Sequence, residues 1–216
     1  MPKSISTAPH DPILPRYAVD LLAAPPPGDR LSPATRGLLD LFVPAGSHCL
    51  NVGAGDGAAV RAWLDGRGCS HLHEDVARAT ELRFADESFD AALLIGGLDR
   101  LRAPRQAAGE LRRVLRPGGV LLVTAPNGSY WRHRLDRAAG AAPPRPGAAS
   151  PGWLRQLLRQ SGFSLVGVEG QDGAFIRDLP LAGRLCRRPG SPPYRVAERL
   201  FPSLLGSSLG AFAIRV

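Results

Sequence analysis

An open, doubly wound, mostly parallel α/β sheet is the fold class that the sequence predicts, and three features predict it. Short apolar runs alternate with amphipathic helical stretches along the chain. A glycine-rich turn, Asn51-Val52-Gly53-Ala54-Gly55-Asp56-Gly57, joins one of those runs directly to the helix after it. The 216 residues are enough to bury one such sheet with modest insertions. Hydrophobic residues at 44% and charged residues at 21% are ordinary for a globular chain, while 25 Gly and 21 Pro imply many turns.

The elements follow in order. Residues 1–30 are rich in proline, ending near Pro25-Pro26-Pro27-Gly28, and read as an irregular lead-in; residues 31–216 read as one domain. Ser32-Pro33 has the form of an N-cap with proline at the first helical position, and Leu38, Leu39, Leu41 and Phe42 give that helix its apolar side. His48 to Val52 is the first core strand, and after the glycines Val60, Trp63 and Leu64 recur at helical spacing until Gly66 and Gly68. Phe89 to Ile95 is a second apolar strand, closed by Gly96-Gly97. A helix from about Pro104 follows, with Ala107, Leu111, Val114 and Leu115 as its buried stripe. Pro117-Gly118-Gly119 is expected to end that helix, and Val120 to Thr124 to form the next strand. Ser150-Pro151 again has the form of a cap, with Leu154, Leu157 and Leu158 as a stripe, before a strand from Phe163 to Val168. The last strand, Leu209 to Val216, is expected to place Phe212, Ile214 and Val216 on one face. Residues 128–149 and 171–208 are read as insertions over one rim of the sheet.

Composition also narrows the partners. A formal net charge of +8 raises nucleic acid, but Lys3 is the only lysine among 27 basic residues. The arginines are spread along the chain with no aromatic-interleaved basic motif, which argues against nucleic acid. No apolar run reaches the roughly 20 residues of a membrane span, and the N-terminus lacks a signal-peptide core, so a cytoplasmic location is expected. Cys49, Cys69 and Cys186 are odd in number and widely separated, which suits small buried thiols better than a disulfide framework or a zinc site. No metal site and no catalytic residue is assigned. His71 and His73 alternate with Leu72 in a strand, and His133 sits among arginines, as surface or strand histidines do.

The glycine turn carries the chemistry. Small residues there let the backbone turn sharply and approach a ligand. Gly53, Gly55 and Ala58 also satisfy the Gly-x-Gly-x-x-Gly/Ala spacing of a dinucleotide fold, and Glu74 lies about 20 residues beyond Gly53, where a ribose-binding acid belongs. On this segment alone NAD, S-adenosylmethionine and a purely structural turn all remain open.

Two further blocks discriminate. Glu81-Leu82-Arg83-Phe84-Ala85-Asp86-Glu87-Ser88-Phe89-Asp90 and Arg113-Val114-Leu115-Arg116-Pro117-Gly118-Gly119-Val120-Leu121-Leu122-Val123, taken with the glycine turn, closely resemble the methyltransferase type 11 family. Ala125-Pro126-Asn127 and Ser161-Gly162-Phe163 resemble it too. The resemblance implies a Rossmann-like class I S-adenosylmethionine-dependent methyltransferase fold, with S-adenosyl-L-methionine as cofactor and an unidentified, small-molecule methyl acceptor. It implies cofactor contacts from Asn51, Gly53, Ala54, Gly55 and Gly57, from Glu74 or its neighbour Asp75 to the ribose, from the Ala79 backbone amide to the adenine, and from Gly96.

The chain departs from the family in ways that favour a rival reading, a degenerate methyltransferase fold acting as a non-catalytic binding or scaffold module. Asn51 stands where the family places an acid, and Arg78 where it places the acid that meets the adenine amino group. The stretch from Asp75 to Phe84 is too short for the helix and strand the family fits there. Six strands are therefore expected in place of seven. Oligomeric state is not legible.

Overall fold

The computed structural model describes residues 31–53, 57–130, 148–171 and 208–216. The lead-in and most of the two expected insertions lie outside the described residues. Helix α1 (Pro33–Phe42), strand β1 (His48–Gly53), helix α2 (Ala58–Gly66) and strand β2 (Ser70–Asp75) come first. Strand β3 (Phe89–Ile95), helix α3 (Pro104–Val114) and strand β4 (Leu115–Pro126) form the middle. Helix α4 (Pro151–Gln160), strand β5 (Phe163–Gln171) and strand β6 (Ser208–Arg215) complete the fold.

The six strands make one sheet in the order β2-β1-β3-β4-β6-β5. The four strands from β2 to β4 are mutually parallel, and β6 inserts antiparallel between β4 and β5. Between Asp75 and Phe89 the described chain forms only a single 3₁₀ turn, Val76–Arg78, so the expected loss of a strand and helix pair matches the six-stranded sheet.

Strand alternation sends successive side chains to opposite faces, and each face has its own core. Leu50, Val52, Ala92, Leu94, Leu121 and Val123 face α3 and α4, whose Leu111, Val114, Leu154 and Leu158 complete that layer. Cys49, Ala91, Leu93, Leu122 and Phe212 face α1 and α2, against Leu39, Val60, Trp63 and Leu64. Phe42 stacks on Phe212 with ring centroids 3.6 Å apart, which ties α1 to β6. Both expected caps form: Ser32 Oγ accepts from Thr35 N and Ser150 Oγ from Trp153 N. Cys49 and Cys69 are free and buried, and burial pushes the Cys49 thiol up to about 12, with Cys69 adding to the rise.

Three local expectations are corrected. Leu41 is 73% exposed, because it lies two residues beyond the buried Leu39 and hence about 200° round the helix. Helix α3 stops at Val114, and Leu115 already belongs to β4: it pairs with Phe89 before a bulge brings Val120 opposite Ala91. Val216 lies beyond the last paired residue, Arg215, and is 76% exposed, so it does not share a packed face with Phe212.

The connection that replaces the missing pair is held by polar contacts. Arg113 on α3 donates to the carbonyls of Leu82 and Phe84, each at 2.8 Å, and to Asp86 and Glu110. Glu110 in turn accepts from Leu82 N at 3.0 Å. The Arg113 hydrogen bond, with the Leu82 amide in support, holds the Glu110 carboxyl below its ordinary value. Nearby, at the start of β3, Asp90 accepts from His48 N and pairs with Arg116 at 2.6 Å, and these contacts likewise depress its carboxyl.

Candidate functional site

The carboxyl ends of β1, β2, β3 and β4 lie along one edge of the sheet. Chain order reverses there between β1 and β3, the position where open α/β sheets form a crevice. The residues singled out in the sequence gather at this edge. Gly53 ends β1 and Asp75 ends β2 directly opposite it, with Glu74 opposite Val52; Gly96 follows Ile95 at the end of β3. Ala54 and Gly55 lie outside the described residues.

The two flanking glycines are present for different reasons. Gly57 has φ +61, and a Cβ there would meet Asn51 Nδ2 at 2.5 Å, so both the backbone conformation and the packing demand glycine. A Cβ on Gly53 would meet nothing nearer than 3.8 Å, the Ile95 carbonyl. Its neighbours among the described residues therefore do not require glycine, which leaves room on that side for an approaching ligand. Asn51 is buried at 3% exposure, with its amide wedged between these two glycines.

The paired acids also differ. Asp75 caps the 3₁₀ turn, accepting from Ala77 N at 2.7 Å, so its carboxylate has a structural task. Among the described residues Glu74 accepts only from its neighbour's amide, Asp75 N, at 3.1 Å and faces Arg78 at 3.8 Å. Arg78, which takes the place of an acid in the family, thus lies beside the ribose-acid candidate. Ala79 is fully buried, and its amide donates to the Val76 carbonyl at 3.2 Å. That geometry uses Ala79 as wall and commits the amide that was expected to address the adenine.

Gly96, at φ +67, turns the chain out of β3, and its amide donates to Thr124 Oγ1 at 2.9 Å. Thr124 was not singled out in the sequence, although a hydroxyl closing an otherwise apolar strand was the available signal. His73 was read as an ordinary strand histidine, yet its ring lies 3.5 Å from where a Gly57 Cβ would stand and so floors the turn. Asp99, in the 3₁₀ turn Leu98–Arg100 just past Gly96, buries Oδ1 with no hydrogen-bond partner among the described residues. Nothing in its sequence setting marked it.

Comparisons with known proteins agree with this geometry. Residues 61–123 match the family model described as a methyltransferase domain. A demethylmenaquinone methyltransferase from Renibacterium salmoninarum is 49% identical over 45 residues, 21% of this chain and 19% of that protein. The match thus spans about a fifth of the curated relative's length. Among solved structures, an S-adenosylmethionine-dependent methyltransferase from Archaeoglobus fulgidus superposes with a TM-score of 0.60 at 14% identity, covering 84% of this chain and 93% of that one. An N-methyltransferase from Haemonchus contortus, solved with phosphomonomethylethanolamine and S-adenosylhomocysteine, gives 0.56 at 15% identity, covering 83% of this chain and 52% of that one. The chain thus has the class I methyltransferase fold, and the similarity in sequence to the methyltransferase domain family lies in residues 61–123.

Proposed function

We propose that the chain binds S-adenosyl-L-methionine in the crevice between β1 and β3 and transfers its methyl group to a small-molecule acceptor. The observation that carries this reading is the convergence of Gly53, the Glu74 carboxylate and Gly96 at one switch point. The residues fit the group chemically. A carboxylate offers the two ribose hydroxyls acceptors and no competing donor, while glycines leave the backbone approachable. Asn51, Ala54, Gly55 and Gly57 would shape the turn around the methionyl end. Glu74 is the better ribose candidate of the two acids, since Asp75 already caps a turn.

The cofactor supplies an electrophilic methyl on sulfur. The chain's work is then to hold that methyl in line with an incoming nucleophile and to keep the crevice dry, which can account for much of the rate without a dedicated base. Asp99 Oδ1, just past Gly96, has no donor among the described residues, and it would orient a methyl acceptor bearing a hydroxyl or ammonium hydrogen. Residues 128–149 and 171–208 would form the acceptor side of one domain that starts near residue 31. The reading carries a cytoplasmic location with it; among the described residues no helix is long and apolar enough to cross a membrane.

Calorimetric titration with S-adenosylmethionine and S-adenosylhomocysteine tests the proposal, with NAD as the competing arm. Glu74→Ala is expected to weaken S-adenosylhomocysteine by about ten- to a hundredfold, the equivalent of about 1.5–3 kcal/mol. Gly55→Val is expected to abolish binding in a folded protein. Loss on Asp75→Ala with Glu74→Ala intact would move the ribose contact by one residue. The rival reading, a non-catalytic binding or scaffold module, is favoured by the Arg78 guanidinium beside Glu74 and by Asn51 in the acid's place. No heat with any of the three ligands would leave that reading standing.

A further inference from the structure

Helices α3 and α4 leave a groove between them on the outer surface, with a volume of about 400 Å³, within the range of small-ligand sites. It shares no residue with the candidate cofactor crevice. Trp153, Gln156, Leu157 and Gln160 face it from α4 at successive i, i+3, i+4 and i+7 positions, a stripe about 10 Å long. Ala103, Pro104 and Arg105 close the other side.

The chemistry of that lining is lopsided. Trp153 is 41% exposed and offers an indole face, with Leu157 and Pro104 as an apolar floor. Among the described residues the Arg105 side chain has no ion pair or hydrogen bond, and the Gln156 and Gln160 side-chain amides are equally uncommitted. Among the described residues no acid balances the guanidinium. Helix α4 carries Arg155 and Arg159 but no Asp or Glu, and Glu110, the only acid on α3, is paired with Arg113. Six other arginines of the described chain, at positions 67, 78, 112, 113, 116 and 215, are tied to carbonyls or carboxylates.

We propose that this groove binds a small amphiphilic anion, its apolar body laid along Trp153 and Leu157 and its carboxylate or phosphate head held by Arg105. A guanidinium donates in a planar fork that fits such a head, and an indole face accommodates an alkyl chain or a ring. The uncommitted glutamine amides complete the rim as donors. The concave shape and single lining cation favour one inserted molecule over a flat lipid surface.

The test uses the full chain labelled with fluorotryptophan, in which three tryptophans give three fluorine NMR signals and Trp153→Phe identifies the one from the groove. Octanoate, kept monomeric, is titrated beside its uncharged counterpart octanol. Octanoate is expected to shift the Trp153 signal saturably and to leave Trp63 unmoved, and Arg105→Gln is expected to weaken octanoate about tenfold while leaving octanol unchanged. Arg105 is exposed, so the variant keeps the fold. An unmoved Trp153 signal overturns the proposal. So does octanoate affinity that equals octanol's and ignores Arg105→Gln, which would mean apolar adhesion only. A response confined to phosphatidylglycerol vesicles, absent with octanoate and with phosphatidylcholine, would overturn it in favour of a membrane surface. The proposal is independent of the cofactor reading, since failure to bind S-adenosylhomocysteine leaves these outcomes unchanged.

Discussion

On one side of β1 and β3 the sheet stops at β2, after which the chain reaches β3 through residues 76–88 with a single 3₁₀ turn; on the other it continues through β4, β6 and β5. The far flank is held as cores usually are, with Leu154, Leu158, Leu209 and Ala211 packed out of water. The near flank has Val76, Ala79 and Leu82 in the core, but its path is fixed by Arg113 and Glu110 gripping Leu82, Phe84 and Asp86. Leu72 on β2 is 44% exposed, where a further layer would have covered it. Removing a strand and helix from this architecture therefore exchanges apolar area for directional hydrogen bonds to backbone carbonyls. Such bonds fix a short path more sharply than packing does, at the cost of dependence on one side chain.

The largest effect expected is on the packed flank. Leu154 is fully buried, so Leu154→Ala should lower the unfolding free energy by about 2–5 kcal/mol in urea melts, through lost transfer energy and a residual cavity. Arg113→Ala comes next, at about 1–3 kcal/mol, because it strips acceptors of a charged donor. Its signature is local. Hydrogen exchange should accelerate at residues 82–88 and stay unchanged in β5 and β6, and equal acceleration in both flanks would break the comparison.

The third prediction concerns acid. Glu110 is depressed in the folded chain below its ordinary value of 4.5, so its contribution to stability is fully present above that value and is lost as pH falls through the lower, folded one. Stability measured from neutral pH down to about pH 3 should fall less steeply in Glu110→Gln than in the parent chain. Asp90 acts with the same sign, but more weakly, since its side chain is 38% exposed and solvent screens it. The smallest effect belongs to Leu41. Exposed as it is, Leu41→Gln should change stability by no more than about 0.5 kcal/mol, and a larger loss would mean that this helix face is covered in solution.

What was legible in the sequence was local or periodic. Ser32 and Ser150 announced their helices because capping is decided within four residues, and Gly57 marked the entry to α2 because a Cβ at its left-handed φ would meet Asn51. The shortened sheet was legible by subtraction, since the stretch from Asp75 to Phe84 is too short for a further helix and strand. What escaped depends on residues far apart in the chain. Arg113 is an unremarkable helical arginine until Leu82 and Phe84 arrive beneath it, and Ala79 reads as an available amide until the 3₁₀ turn takes it. The exposure of Leu41 was missed for another reason: an apolar residue beside a stripe is easily counted into it. Of the candidate site, the edge and its glycines were legible; the division of labour between Glu74 and Asp75, the Thr124 hydroxyl and the buried Asp99 oxygen were not.

The antiparallel insertion of β6 sets an order of events during synthesis. Among the described residues strand β5 has only β6 as a neighbour, and β6 is also what joins it to β4, so of these strands none is present for residues 163–171 to pair with when they leave the ribosome. Helix α4 can dock its leucines early, but both edges of β5 stay open until residues 208–215 have been made and have threaded between two strands already in place. That closure waits for residues well beyond β5 in the chain and belongs late in folding. In this interval the nascent chain exposes an apolar strand, Phe163 to Val168, to any other chain with a free edge, which makes it the stretch a chaperone would have most reason to shield.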